Sequence, residues 1–396
     1  MNKKNMPEIR FSGFDDEWTQ IFVKDLFLLS AEGGTPSTKI KENYENGSIP
    51  FVKIEDTTNK YIYNTKTRIT EEGLNNSSAW LIPKNSIIFT NGATIGNISI
   101  NKIPVSTKQG IMGLIVKNNF DLEYIYYSLS TDAFSEKVWD KVAIGTFPWI
   151  TTKNFNNLNF KYSSNSFEQN KIGLFLKNID DLISKTEKQY NYFKNIKESL
   201  LNKMFPSNYS DVPEIRFKEF KDILKVNTLG NLLKYEQPGK YIVENDEYND
   251  EKAGVPVLTA GQSFILGYTL EKFGIKNSSK TDPIIIFDDF ITSSYYIDFP
   301  FKVKSSAIKI LSTINKKSNL YYLYMLLKQQ QYSVVNHERH WISKFSKFNV
   351  LITESASEQT KIGTFFKNLD DLIELIKQKH EKLKNIKNAL LDKMFC

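Results

Sequence analysis

At 396 residues the chain is long enough for two or three domains with real cores, and its hydrophobic content of 40% suits a globular protein. No apolar run approaches the roughly 18–20 residues of a membrane span, the N-terminus lacks the apolar stretch of a signal peptide, and the single cysteine, Cys396, excludes an internal disulfide framework and a cysteine-based zinc site. A net charge of +7 with a pI near 8.9 permits a nucleic-acid partner without requiring one. No membrane association and a cytoplasmic location are the expectations.

The chain opens on Met6–Asp16, MPEIRFSGFDD, and Val212–Asp222, VPEIRFKEFKD, repeats it at seven of eleven positions. After the first copy come short apolar runs broken by Gly, Asn and Pro. Ile49–Ile54, Ser86–Thr90 and Ile111–Val116 read as strands, while Leu122–Leu129 and Ala133–Val138 read as helices. Glu168–Phe205 then reads as one long helix. It returns as Glu358–Phe395 with 21 of 38 positions identical. Apolar residues three and four apart draw a seam through Ile172, Phe175, Ile179, Leu182, Tyr190, Phe193, Ile196, Leu200 and Met204. The second copy places its seam at Ile362, Phe365, Leu369, Leu372, Ile376, Leu383, Ile386, Leu390 and Met394. The seam weakens at Lys185–Gln189 and Gln378–His380. Such a helix would be about 50–57 Å long, a strut whose economical partner is the other copy. Pro206-Ser207-Asn208-Tyr209 reads as the hinge between halves.

The second globular part shows Val255–Thr259, Pro283–Phe287 and Ala307–Leu311 as strands and Tyr321–Gln331 as a helix. Ile49-Pro50-Phe51-Val52 matches Val255-Pro256-Val257-Leu258, and Trp149-Ile150-Thr151 is aligned with Trp341-Ile342-Ser343 as a pair of core anchors. The expected fold is therefore α+β. Two mixed α/β heads are joined by two long antiparallel coiled-coil helices in a pseudo-two-fold repeat. The expected segments are a first head at 1–166, a first helix at 167–206, a second head at 207–354 and a second helix at 355–396. Nearly identical struts with dissimilar heads suggest one shared assembly role and two different targets.

Chemistry is sparse. There is no phosphate-binding loop of either glycine-rich type and no Asn-Pro-Pro-aromatic tetrapeptide. His337 and His340 stand three apart without a third ligand, and Asp288-Asp289, opposite Thr90-Asn91 of the first head, read as solvated acids in a turn. No catalytic or metal residue is assigned. Polar loops offer groups that pair with base edges or phosphates. In the first head these are Lys53, Asn91, Thr94, Lys108, Gln109 and Thr146. In the second they are Tyr235, Gln237, Lys240, Gln262, Ser294, Lys304, Arg339 and His340.

The whole arrangement resembles the specificity subunit of type I restriction–modification enzymes. The carriers are Pro7–Phe11 and Pro213–Phe217, Gly33-Gly34-Thr35-Pro36-Ser37, Asn91-Gly92-Ala93-Thr94-Ile95-Gly96, and the two EQ-x-KIG-x-F-x-KN-x-DDLI helices. The second head departs from the pattern, with Gln237-Pro238-Gly239-Lys240 where the first has GGTPS. The resemblance implies a non-catalytic chain. Each head would be a target recognition domain for one half of a bipartite double-stranded DNA target, and the paired helices would fix the gap. It further implies two methyltransferase subunits and two restriction subunits as partners, with S-adenosylmethionine, ATP and Mg in those partners. The competing reading is a coiled-coil adaptor with two protein-binding heads. A stand-alone nuclease or methyltransferase is disfavoured by the missing cofactor and metal motifs.

Overall fold

A computed structural model describes residues 6–143, 145, 148–206, 212–245, 247–249, 253–259, 264–330, 332 and 339–395. The hinge residues Ser207, Asn208 and Tyr209 lie outside them. The chain divides into two compact units, residues 1–187 with 378–396 and residues 188–377. Each unit holds one head, the beginning of one long helix and the end of the other.

The β-branched and aromatic runs form strands as their composition requires. In the first unit a five-stranded sheet has the order 27–32, 111–116, 87–90, 98–101, 61–62, and a three-stranded sheet has the order 67–69, 49–52, 106–107. In the second unit a four-stranded sheet runs 233–236, 308–313, 284–288, 294–297, beside a three-stranded sheet 265–269, 255–258, 302–303. The shared Pro-containing strand does the same work in both heads. Ile49–Val52 pairs antiparallel with Thr67–Ile69 and parallel with Ser106–Thr107, as Val255–Leu258 does with Ile265–Thr269 and Lys302–Val303.

The long helices run Ser166–Met204 and Ala356–Met394, 39 residues each and about 58 Å at 1.5 Å per residue. Their covered faces correct the expected seam. Residues 172, 176, 179, 183, 186, 190, 193, 197, 200 and 204 are buried or half-buried, and so is every position 190 further on, from 362 to 394. Steps of four and three alternate without a break, which is a heptad seam. Phe175, Leu182, Phe365, Leu372 and Ile386 fall beside it and are exposed. The two phenylalanines have another role: Phe175 meets Phe11 edge-on at 5.5 Å and Phe365 meets Phe217 at 6.4 Å, so they receive the PEIRF segments. The seam also passes through polar residues that periodic reading discounts. In the first unit Asp180 meets Lys387 at 2.6 Å and Thr186 Oγ1 lies 3.2 Å from His380 Nδ1. One residue number rises as the other falls, so the helices there are antiparallel. In the second unit Lys197 meets Asp370 at 2.5 Å and the Phe205 and Phe366 rings are 5.7 Å apart, again antiparallel.

The repeated motifs are the joints between head and helix. Arg10 forks onto Glu168 at 2.6 and 2.9 Å, and Arg216 onto Glu358 at 2.6 and 2.8 Å. Gln169 Oε1 accepts from Asp121 N at 3.0 Å and Gln359 Oε1 from Asn319 N at 3.1 Å, so each helix holds the cap of a head helix, Leu122–Leu129 or Leu320–Lys328. The glycine of KIG is required by this approach. A Cβ on Gly173 would stand 2.5 Å from Asp121 Oδ1, and one on Gly363 would stand 2.1 Å from Asn319 Oδ1. The KMF ends are plugs. Met394 and Phe395 enter the core around Trp18, Tyr124 and Leu176, while Met204 and Phe205 enter the core around Leu229, Tyr322 and Phe366. A side chain of this size contributes about 1.5–3 kcal/mol when fully buried.

No helix among the described residues is long and apolar enough to cross a membrane.

Candidate nucleic-acid interface

Four segments of the first head converge on one cleft: the loop after strand Phe27–Glu32, the Asn91–Gly96 loop, the Lys108–Gly110 turn and the Pro148–Lys153 segment. Backbone bonds fix their meeting. Asn91 N and Gly92 N both donate to Gly110 O, at 3.0 and 3.2 Å, and Ile150 N donates to Asn91 O at 2.9 Å. Gly110 N reaches Glu32 Oε1 at 2.7 Å and Gln109 N reaches Thr35 Oγ1 at 3.2 Å. The first glycine of GGTPS permits this closeness, because a Cβ on Gly33 would lie 2.1 Å from Thr107 O. Gly110 has φ +86° and Ala93 has φ +48°, so both turns pass through the left-handed region.

The cleft has a volume of about 790 Å³ and brings together Asn91, Lys108, Gln109, Trp149 and Lys153. Lys108, Gln109 and Thr94 are exposed, and Lys53, half-buried, precedes the lining residue Ile54. Thr146 lies outside the described residues. Asn91 is a correction. It is 3% exposed and its Nδ2 donates to Ile150 O at 3.1 Å, so it braces the cleft floor from beneath. Trp149 is a second correction. It is 49% exposed, whereas Trp341 is 1% exposed. The two are not equivalent. Phe155 lies against Phe89 at 4.5 Å and Phe345 against Phe287 at 4.8 Å, which sets the register of this segment at a shift of 190 (345 − 155). Trp149 therefore corresponds to the exposed Arg339, and Thr151 to Trp341. Ammonium groups, an amide and a flat indole on one cleft can meet phosphates, base edges and base faces.

The second head repeats the scaffold with other side chains. Lys304 N donates to Leu258 O at 2.8 Å as Lys108 N donates to Val52 O at 3.0 Å, so the two lysines are equivalent. Lys304 is half-buried, with its ammonium 5.4 Å from the centre of the Tyr248 ring. Tyr235, Gln237, Lys240 and Arg339 are exposed. Gln262 and His337 lie outside the described residues. Ser294 is corrected: it is buried in strand Ser294–Ile297, and its carbonyl accepts from Tyr324 Oη at 3.1 Å. His340 is corrected too: it is fully buried against the Tyr332 ring, and neither ring nitrogen has a hydrogen-bond partner among the described residues.

Asp288 and Asp289 are not solvated, contrary to the turn reading. Asp288 Oδ1 accepts from Phe290 N and Ile291 N at 2.8 and 3.0 Å, a turn built on its own side chain. Asp289 forms an ion pair with the equally buried Lys309 at 3.1 Å. Glu236 is held below the usual carboxylate range: burial pushes it up, but hydrogen bonds from Lys276 and Tyr241 more than offset that. Sequence reasoning missed Lys153 and Lys309 entirely; for Lys309 the available signal was a lone lysine inside the apolar run Ile308–Leu311. Among the described residues no group of three or more His, Cys, Asp or Glu is placed to hold a metal ion.

Comparison with known proteins agrees with this architecture. The profile of the type I restriction modification DNA specificity domain matches residues 15–191 and again 221–385. A type I restriction enzyme specificity subunit of Methanocaldococcus jannaschii is 30% identical over 414 residues, covering 96% of this chain and 92% of its own. A type I restriction enzyme specificity subunit of Escherichia coli is 46% identical over 127 residues, and this match spans only 31% of each chain. In fold, the crystal structure of a type I restriction–modification S subunit from M. genitalium superposes with a TM-score of 0.73 at 17% identity, covering 99% of both chains.

Proposed function

The chain belongs to the family of type I restriction–modification DNA specificity subunits, and on that premise we propose that each head reads one half of a split double-stranded DNA target. The observation that carries this reading is the contrast between joints and clefts. Arg–Glu forks, glutamine caps and KMF plugs are the same in both units, while the side chains around the two reading surfaces differ. Shared joints with unlike surfaces suit two independent addresses on one carrier.

The two long helices would set the gap between half-sites and carry two methyltransferase subunits, which two restriction subunits would join. The chain itself would be non-catalytic. S-adenosylmethionine, ATP and Mg would be held by the partners, whose adenine methylation requires the base to leave the stack. The adaptor reading has no comparable support, because it gives no reason for a basic and amide-lined cleft.

The test is protection of DNA by the chain assembled with its methyltransferase subunits. One split sequence should be protected, with affinity falling steeply as salt rises, by about 0.9 log units per log unit of salt for each phosphate neutralised. Equal binding to all sequences would refute readout. Methylation by the chain alone would refute the non-catalytic assignment.

A further inference from the structure

Three segments of the second head meet at one buried ion pair. The Lys309 ammonium and the Asp289 carboxylate are 3.1 Å apart, with side chains 0% and 1% exposed. Lys309 Nζ also donates to Gln237 Oε1 at 3.0 Å. Asp289 Oδ1 accepts from Trp341 N at 2.8 Å, and Asp289 O accepts from His340 N at 3.0 Å. Gln237, the loop after strand Ile284–Asp288 and the start of helix His340–Ser343 are thereby locked together. The first of these segments presents Gln237 itself, and the last begins next to exposed Arg339.

The first head solves the same packing problem without charge. Phe89 stands opposite Met112 in its sheet, while Phe287 stands opposite Lys309. Asn91 takes the place of Asp289 and makes a neutral bond to Ile150 O. An uncharged pairing is thus compatible with the fold. A buried ion pair adds little net stability over apolar residues of similar size, because desolvation consumes most of the attraction. Direction comes from the hydrogen bonds around the pair, from Lys309 Nζ to Gln237 Oε1 and from the Trp341 and His340 amides to Asp289. Lys309 has one ammonium and two partners on different segments, so moving either partner costs a contact.

We propose that the Asp289–Lys309 pair is a positioning device that fixes the base preference of the second head by holding the Gln237 loop and the Arg339 segment in register. The proposal rests on the reading of the heads as DNA-reading domains. Lys309 and Asp289 act through their neighbours and need not touch DNA.

The experiment uses the full chain assembled with its methyltransferase subunits and a library of split targets, with adenine methylation scored separately for each half-site. The double variant Lys309→Met, Asp289→Asn installs the first head's residues. Expected are an unchanged preference at the first half-site and a loss of about fivefold or more in base discrimination at the second, the scale of a lost base contact. Unaltered preference at both half-sites overturns the proposal, as does a uniform fall in methylation with both preferences kept, which is the signature of a merely structural pair. If the double variant does not fold, Lys309→Arg decides. It keeps the charge but moves the donors, so a changed second half-site supports positioning and an unchanged one overturns it. Absence of any preference in the unaltered complex refutes DNA reading itself, and the proposal with it.

Discussion

Asp180 on the first long helix and Lys387 on the second form an ion pair at 2.6 Å, and the residues 190 positions away in the repeat, Asp370 and Lys197, form another at 2.5 Å in the other unit. Each aspartate also accepts from a tyrosine of the head in its unit, Tyr127 for Asp180 and Tyr321 for Asp370. The tyrosines are not equivalent. With the helix caps Asp121 and Asn319 aligned, Tyr127 falls on Met325 and Tyr321 on Glu123. The helices keep the acceptor, and each head supplies a hydroxyl from wherever its own helix allows.

This pair makes acid stability depend on Asp180. Burial would raise its carboxyl, but hydrogen bonds from Lys387 and Tyr127 and the charge of Lys60 hold it below its ordinary value. A depressed carboxylate contributes stability above its unfolded value of about 3.9, and that contribution is lost as pH falls through the folded value. Asp180→Asn should therefore lower Tm at pH 7 and flatten the Tm-against-pH curve below about pH 4. Calorimetry at several pH values checks this; parallel curves for the two proteins would contradict it.

Gly173→Ala should loosen the joint between head and helix. The new Cβ would meet Asp121 Oδ1 at 2.5 Å and Tyr124 N at 2.8 Å, and the second is backbone that cannot swing away. Overpacking of this kind costs about 1–3 kcal/mol. Gly239→Ala is the control, since nothing lies within 4 Å of its Cβ. Denaturant midpoints that shift equally for both variants would argue against the steric account.

Trp149→Ala should separate recognition from stability. Its indole is half exposed on the cleft, so removal should change stability by no more than about 0.5 kcal/mol. Loss of a stacking or base contact should weaken use of the first half-site by about 1–3 kcal/mol. Binding measured on targets altered in one half at a time tests this. A loss spread over both halves would place Trp149 outside the reading surface.

The unbroken heptad seam changes what an insertion must respect. Four extra residues would rotate the seam out of register, whereas seven restore it. Seven residues added to each helix near Thr186 and Ile376 lengthen each by about 10.5 Å at 1.5 Å per residue. At about 3.4 Å per base pair, the preferred gap should grow by about three base pairs. A methylome with the original gap would rule out the ruler.

The sequence alone determined the two-fold repeat, the long helices and the family, because each is written in local terms: period, identity at a fixed shift, and motifs that keep their spacing. Head strands such as Ile111–Val116 and the helix Leu122–Leu129 were legible for the same reason. Only the tertiary structure decided which face of each helix is covered, since Phe175 and Leu176 are equally apolar and the choice between them is made by what packs there. It also decided that Trp149 is exposed and Trp341 buried, and that Asp289 is neutralised by a lysine twenty residues away. Exposure and charge pairing belong to contacts between distant segments, and local pattern carries no record of which segments meet.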